Sequence, residues 1–320
     1  MIGRRLRNEG SVWLSLSRIT ILLLLVANSS VLFLSAVQPA SAQAVLTKGF
    51  AVGALGDSGG KLARDAGVRW IRSDVTFDDR FKSIYSLSQA YGLNIIGILD
   101  YQTLKMPSFK PSRYGLEGWA KIVNQAQANY PAISVWEIWN EPTLSQNRFG
   151  YMDGSPQHYF DMLKSAYQIL KAGNAECTVL GLGGAQFGSS GDYPFAQTVF
   201  SLGGDMYMDG ISVHAYPYQL NSGQTWGFYR DLWTNEFSKY KNFGKPIWLT
   251  ETGLKSDQMS ESDQATYLDN SYRLFQGLGA VVYTWYQIKD YDSSNGTPVT
   301  YGLARVDYAP KPAYVTYKNF

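Results

Sequence analysis

The sequence predicts an α/β domain in which eight parallel strands, each followed by a helical stretch, close into a (β/α)8 barrel. Short apolar, β-branched runs alternate with amphipathic stretches of helical length. Eight such units fill about 275 residues, which is the usual size of this barrel. The composition agrees, because 45% hydrophobic and 17% charged residues are typical of a folded chain. An open, doubly wound sheet is the structural alternative, although at this length it would usually have fewer strands or a second domain.

The first 42 residues differ from the rest and are predicted to be a leader. Residues 1–18 are basic and polar, residues 19–37 are mostly apolar, and Ala40-Ser41-Ala42 follows with the small-x-small pattern of a cleavage site. We therefore expect residues 1–42 to be a signal peptide. The alternative is an uncleaved membrane anchor, because residues 19–37 are just long enough to span a bilayer. Both alternatives place residues 43–320, a single folded domain, outside the cytoplasm, either secreted or anchored.

Charge and cysteine content exclude several classes of function. The formal net charge is +2, and residues 1–42 contribute +3 of it through four arginines and one glutamate, which leaves −1 for residues 43–320. That balance gives no support for nucleic-acid binding. One cysteine, Cys177, excludes an internal disulfide and a cysteine-rich zinc site, and two histidines leave little room for a multi-histidine metal site. We expect the chain to need no metal and no cofactor.

The eight strands are predicted from the β-branched apolar runs. They lie near 50–53, 70–74, 94–99, 135–139, 178–182, 210–214, 247–249 and 280–285. The fifth run ends in Gly181-Leu182-Gly183-Gly184, which we interpret as a tight loop because it lacks the spacing and the acidic residue of a dinucleotide-binding turn.

The helices are predicted from amphipathic stretches together with their start and stop signals. They cover 61–66, 81–91, 116–129, 156–172, 224–240 and 260–275. Ser155 and Pro156 form an N-cap and first-turn pair before one of them, and Gly67 and Gly92 stop two others. Residues 260–263 supply an acidic first turn to the last helix.

Two glutamates at strand ends carry the chemical argument. Catalytic residues of such barrels lie at the C-terminal ends of the strands. Glu141 follows the fourth strand in Trp139-Asn140-Glu141-Pro142, and Glu251 ends the seventh in Thr250-Glu251. Strands four and seven lie on opposite sides of an eight-stranded ring, so both carboxylates can face one pocket. Two carboxylates across a pocket are the machinery of glycoside hydrolysis. A lone glutamate in such a place would more often cap the next helix.

These motifs resemble those of the clan A glycoside hydrolases, the retaining (β/α)8 enzymes of families such as 5, 39, 51 and 53. The resemblance covers nearly all of residues 48–320, including a tail, Pro310-Lys311-Pro312-Ala313-Tyr314, that is similar to the ending of many members. One position departs from the pattern. Family 5 usually has a histidine at the end of strand three, where this chain has Leu99-Asp100-Tyr101, and this difference argues against a plain family 5 assignment.

The resemblance implies a role for each site residue. Glu141 is the acid/base, which must hold a proton at rest, and Glu251 is the nucleophile, which must be ionised. Arg72 at the end of strand two and Tyr216 in His214-Ala215-Tyr216 would keep Glu251 ionised. The resemblance further places His214 in the site, Asn140 against the sugar 2-hydroxyl, and Trp285 as an apolar floor for the sugar. The alternative for Trp285 is barrel packing. We interpret Glu137 as a structural residue with Arg72 as a candidate partner.

The sequence therefore predicts a secreted, monomeric, retaining glycoside hydrolase with a polysaccharide or oligosaccharide substrate. The predicted loops after strands three, six and eight (101–114, 215–223 and 286–309) are rich in Tyr, Ser and Asn, which favours endo action on a β-glucan-like polymer. Three alternatives stay open: an exo-acting β-xylosidase or β-mannosidase, a transglycosylase that rebuilds an envelope glycan, and a catalytically silent carbohydrate-binding barrel. The silent barrel would have lost one of the carboxylates or their supports, and all of them are present.

Overall fold

The computed structural model describes residues 46–105, 115–218, 224–293 and 295–320. The predicted leader, residues 1–42, lies outside the described residues, as do parts of the three predicted substrate loops, namely 106–114, 219–223 and 294. Within the described parts, no helix is both long and apolar enough to cross a membrane.

Eight parallel strands close into a barrel in chain order, which confirms the predicted fold class. The barrel strands are β1 (Thr47–Ala51), β2 (Trp70–Asp74), β3 (Asn94–Leu99), β4 (Val135–Ile138), β5 (Thr178–Gln186), β6 (Gly210–Ala215), β7 (Ile247–Thr252) and β8 (Val282–Tyr286). β1 pairs with β8 to close the ring, with Phe50 opposite Trp285. After β8, β9 (Tyr291–Asp292) and β10 (Pro298–Val299) form a small antiparallel sheet.

Helices follow the strands around the barrel. The α-helices in the described residues are α1 (Asp57–Asp65), α2 (Asp79–Ala90), α3 (Tyr101–Leu104), α4 (Leu116–Asn129), α5 (Pro156–Gly173), α6 (Asp192–Ser201), α7 (Trp226–Lys241), α8 (Glu261–Leu278) and α9 (Pro312–Lys318). Ser155 caps α5 as predicted, accepting from the backbone N–H of His158. The sequence did not predict α3, α6 and α9. The glycines and serines of 188–191 and Pro194 gave the α6 region the composition of a loop, and α3 and α9 are too short for a clear period.

The glycine-rich run after the fifth predicted strand is a bulge and not the expected tight loop. β5 continues through it to Gln186, and its register against β6 shifts between Gly181 and Ala185. Leu182, Gly183 and Gly184 have φ values of 69°, 55° and 76°. The strand therefore bends without ending, as bulged strands near active sites commonly do.

The barrel interior is apolar at the bottom and polar near the mouth. Ile96, Val135, Leu180, Trp248 and Val282 form a separate buried cluster inside the barrel. Glu137 and Thr250 lie two residues further along β4 and β7 than Val135 and Trp248, so their side chains point to the same face of the strand. Both are fully buried. The polar layer therefore lies directly beneath the strand ends where the candidate site residues are found.

The C-terminal tail fastens the end of the chain to the barrel. The buried ammonium group of Lys311 lies 2.7 Å from the carboxylate of Asp290. The hydroxyl of Tyr317 in α9 donates to the carbonyl of Gly49 at 2.9 Å and accepts from the Gly49 N–H at 3.0 Å. Of these two residues, Lys311 belongs to the tail motif 310–314 identified in the sequence.

Candidate active site

The strand ends of the barrel surround a cavity of about 350 Å³, here called the catalytic cavity. It is lined by Arg72, Asp74, Ile98, Tyr101, Asn140, Glu141, Tyr216, Tyr218, Glu251, Tyr286 and Tyr301. Five of the seven site residues expected from the sequence are thus brought together here. His214 lies directly behind the lining, fully buried and in contact with Glu141.

Glu251 is surrounded by groups that favour its ionised form. The Arg72 guanidinium donates through Nη1 to Oε1, and the Tyr216 hydroxyl donates to Oε2 at 2.7 Å. Burial alone would raise the pKa of this carboxyl. The positive charges of His214 and Arg72 and the two hydrogen bonds outweigh burial, so the pKa of Glu251 lies below its ordinary value.

Arg72 is itself held by a buried carboxylate beneath it. Its Nε lies 2.6 Å from Oε2 of Glu137, and Nη2 donates to Oε1 of Glu137 at 3.1 Å and to Oδ1 of Asn140 at 2.9 Å. Burial opposes the guanidinium charge, but Glu137 and Glu251 outweigh it and raise the pKa of Arg72. Glu137 also accepts from Ser212, so the pair is hydrogen-bonded as well as charged. Such a network fixes the guanidinium in one position beneath Glu251.

His214 bridges the two candidate catalytic carboxylates. Its Nδ1 lies 3.0 Å from Oε1 of Glu141 and 3.9 Å from Oε2 of Glu251. These two oxygens are therefore no more than about 7 Å apart, a limit that includes the 5–5.5 Å spacing typical of retaining glycosidases. Burial lowers the pKa of His214, but the negative charge of Glu251, the hydrogen bond between His214 and Glu141, and the charge of Glu141 raise it overall.

The β5 bulge makes room for both His214 and the Glu141 turn. A Cβ at Gly184 would lie 2.2 Å from Nε2 of His214, and one at Gly183 would lie 2.9 Å from the carbonyl oxygen of Trp139. Trp139 and Glu141 have positive φ values of 68° and 46°, unusual for residues with side chains. The Glu141 N–H donates to the carbonyl of Gly183 at 2.6 Å, which holds this strained turn in place.

Trp285 is not the floor of the pocket, which corrects the expectation from the sequence. Its ring is fully buried, lies 5.8 Å from the ring of Tyr267, and donates through Nε1 to the carbonyl of Tyr301 at 2.7 Å. Tyr286, the next residue of β8, lines the cavity instead. Successive side chains of a strand point to opposite faces. Trp285 therefore packs outside the barrel while Tyr286, one residue later, lines the cavity, and the expectation was wrong by one residue.

The sequence missed several lining residues. Asp74 lies two positions after Arg72 on β2, and side chains two apart on a strand point the same way. This spacing could have predicted that Asp74 also faces the cavity. Tyr101, Tyr218, Tyr286 and Tyr301 lie at or after the ends of β3, β6 and β8. The signals for them were the 15% aromatic content and the tyrosine-rich composition of the predicted loops 101–114, 215–223 and 286–309.

A second carboxyl, that of Asp100, lies close enough to Asp74 for the two charges to interact. Burial, and then the charge of Asp74, raise the pKa of Asp100 well above its ordinary value. Its Oδ1 caps α3, while Oδ2 has no hydrogen-bond partner among the residues that the structure describes. Asp100 occupies the strand-three end, where the sequence departs from the usual family 5 histidine.

The described residues contain no group of three or more His, Cys, Asp or Glu side chains arranged to hold a metal ion. What the catalytic cavity offers is a pair of carboxylates with unequal surroundings. Glu251 accepts from a guanidinium and a phenol, whereas Glu141 contacts the imidazole of His214.

A family model described as Cellulase (glycosyl hydrolase family 5) matches residues 73–292, more than half of the chain. The match includes both candidate carboxylates. It overturns the expectation that Asp100 at the end of strand three argues against family 5. No curated protein matches the sequence.

Solved structures of glycoside hydrolases share the fold. A family 39 glycoside hydrolase from Bacteroides cellulosilyticus WH2 aligns with a TM-score of 0.65 at 22% identity, over 85% of this chain and 62% of its own. The chain thus spans about three fifths of that protein. A family 39 β-xylosidase from Caulobacter crescentus gives 0.62 at 18% identity, over 88% and 71% of the two chains. A psychrophilic family 10 endo-β-1,4-xylanase gives 0.61 at 15% identity, over 86% and 96%. At these identities the likeness concerns the fold alone.

Proposed function

The chain belongs to the cellulase family, glycosyl hydrolase family 5, and on this premise we propose that it hydrolyses β-glycosidic bonds with retention of anomeric configuration. The observation that carries the proposal is the unequal environment of the two glutamates. Arg72 and Tyr216 hold Glu251 in the ionised form that a nucleophile needs. Among the residues that the structure describes, Glu141 contacts the imidazole of His214 and no arginine or lysine.

In the first step, a carboxylate oxygen of Glu251 attacks the anomeric carbon, and Glu141 gives its proton to the departing glycosidic oxygen. Oε1 of Glu141 is hydrogen-bonded to Nδ1 of His214 at 3.0 Å, and we assign the transferable proton to Oε2. The negative charge of Glu251 disappears when its bond to the sugar forms.

In the second step, Glu141 takes a proton from a water molecule that attacks the glycosyl-enzyme, and Glu251 leaves as a carboxylate. Arg72 and Tyr216 stabilise that returning charge through the same two contacts. Asn140, oriented by its hydrogen bond from Arg72, is assigned to the sugar 2-hydroxyl. The chemistry needs no metal and no organic cofactor.

We place the reaction outside the cytoplasm, carried out by a monomer on a β-glucan-like polysaccharide. The family description supports the β-glucan-like substrate, and the leader pattern of residues 1–42 supports the location outside the cytoplasm. Because the neighbouring structures include a β-xylosidase and an endo-β-1,4-xylanase, xylan belongs among the substrates to be tested.

The test is a panel of β-glucans, xylans and mannans, with the products separated by size and the first-formed anomer read by proton NMR. Internal cleavage of a β-glucan with a β-anomeric product is the expected result. Release of single sugars would favour exo action, and longer products than the substrate would favour transglycosylation. An α-anomer released first from a β-linked substrate would refute the mechanism. Binding without turnover of any substrate would favour the silent carbohydrate-binding barrel.

A further inference from the structure

A cavity of about 240 Å³, here called the lysine cavity, adjoins the catalytic cavity and plays no part in the mechanism described above. Tyr216, Tyr218 and Tyr301 line both cavities. The rest of the lining includes Lys255 and Gln258, which belong to the segment that follows β7. A substrate that extends from the catalytic cavity across the shared tyrosines therefore meets the side chain of Lys255.

The wall between the two cavities is closely packed. A Cβ at Gly253 would lie 2.6 Å from the carbonyl oxygen of Tyr286 and 3.0 Å from Cδ1 of Tyr301, so only glycine fits there. The rings of Tyr216 and Tyr301 meet edge to face with centroids 5.9 Å apart, and those of Tyr216 and Tyr218 stack with centroids 5.4 Å apart. Aromatic rings in such contact hold one another in place. The lysine cavity therefore has a formed wall.

Lys255 is a cation without a counter-charge in the described parts of the chain. It is partly buried, and its Nζ lies 5.4 Å from the centroid of the Tyr301 ring. Among the described residues it forms no ion pair, and none of those that line the cavity is an aspartate or a glutamate. Asp257, the carboxylate nearest in sequence, lines a different cavity and accepts from the hydroxyl of Thr300. An ammonium group that is partly removed from water and unpaired gains from an anionic ligand.

The catalytic cavity is less suited to a negative group on the substrate. Asp74, Glu141 and Glu251 line it, and its lining arginine, Arg72, is already paired with two carboxylates. A further negative charge beside these carboxylates would be repelled. Of the two cavities, the lysine cavity is therefore the one suited to an anionic group.

We propose that the lysine cavity binds a carboxylate carried by the substrate, and that the glycan cleaved in the catalytic cavity therefore contains uronic acid residues. This proposal rests on the proposed function and deepens it by naming a charge on the substrate. Lys255 supplies one compact positive charge, which matches the single charge of a carboxylate. The side-chain amide of Gln258, on the same cavity wall, can donate a hydrogen bond to such a group.

The test compares one glycan with and without its carboxylates. A β-glucan or mannan whose 6-hydroxymethyl groups are partly oxidised to carboxylates is the acidic form, and the same sample after chemical reduction of those carboxylates is the neutral form. If the panel described above selects xylan, a glucuronoxylan and its carboxyl-reduced form take their place. For wild type, kcat/KM should be about tenfold higher or more on the acidic form. This preference should shrink as salt is added, because salt screens charges that are not fully buried.

Variants of Lys255 assign the preference to this side chain. Lys255→Met should reduce the ratio of kcat/KM on the acidic form to that on the neutral form to about one, whereas Lys255→Arg, which keeps the charge, should retain a clear preference. Lys164→Met is the matched control. Lys164 is also partly buried with its Nζ 5.4 Å from the centroid of a tyrosine ring, that of Tyr207, but it lies on α5 and lines neither cavity. Its variant should keep the wild-type ratio.

Two results would overturn the inference and leave the proposed function intact. One is equal kcat/KM of wild type on the two forms, and the other is a preference for the acidic form that Lys255→Met retains. Failure of the proposed function gives a different result, namely a wild type that hydrolyses neither form. Binding of both forms is then measured by calorimetry. Tighter binding of the acidic form that Lys255→Met loses and Lys164→Met keeps would support the inference, and any other binding result would overturn it.

Discussion

The hydroxyl of Tyr216 gives the sharpest test of how Glu251, the proposed nucleophile, is kept ionised. It donates to Oε2 of Glu251 at 2.7 Å, and Tyr216→Phe removes this one bond while keeping the ring that stacks on Tyr218. A hydrogen bond to a charged group is worth about 1.5–3 kcal/mol. Since one pKa unit corresponds to about 1.4 kcal/mol, the pKa of Glu251 should rise by roughly one to two.

The assay is the pH profile of kcat/KM in the free enzyme. A nucleophile with a higher pKa becomes protonated earlier as the pH falls, so the acid limb should move to higher pH. Well below that limb, the variant should lose roughly 10- to 100-fold in kcat/KM relative to wild type. Tyr272→Phe is the matched control, because it removes a buried hydroxyl that donates to the carbonyl of Leu46 at 3.2 Å, away from the site. An acid limb that does not move in Tyr216→Phe would refute the reasoning.

Three further predictions concern stability and cofactors. Burial raises the pKa of Asp100 above its ordinary value of 3.8, so the stability that this residue contributes is present at acid pH and is lost as the pH rises. Asp100→Asn should therefore raise the melting temperature relative to wild type more at pH 8 than at pH 4. An equal difference at both pH values would contradict this. Arg72→Met leaves Glu137 buried without its cation, and the free energy of unfolding measured with denaturant should fall by about 3–5 kcal/mol. The double variant with Glu137→Gln should recover part of this loss. A chelator should leave kcat unchanged, and loss of activity that a divalent cation restores would refute the two-carboxylate chemistry.

The sequence predicted the barrel well because its signals are local and repeated. Each strand is a β-branched run, and the order of strands along the chain is also their order around the ring. Glu141 and Glu251 were found for the same reason, since a position at the end of a barrel strand implies a position at the mouth.

Other features depended on geometry that the local pattern does not contain. Trp285 was expected to line the cavity in place of Tyr286 because the sequence does not show which of two successive residues at the end of β8 faces inward. The bulge at Gly183 and Gly184 had the composition of a loop. The structure shows why both positions are glycine, because a Cβ there would clash with His214 or with the turn that carries Glu141. The lining tyrosines lie at strand ends and in the segments that follow them, and these meet only after the barrel has closed.

The central claim is that Glu251 is the nucleophile and Glu141 the acid/base, and azide tests it most directly. With a dinitrophenyl β-glycoside, which needs no proton to depart, Glu141→Ala should still form the covalent intermediate. Azide should then speed its breakdown and give the β-glycosyl azide. Glu251→Ala should be nearly inactive, and azide entering the vacated side should give the α-glycosyl azide. Azide products of the opposite anomers would show that the two roles are exchanged, and full activity in both variants would contradict the site assignment.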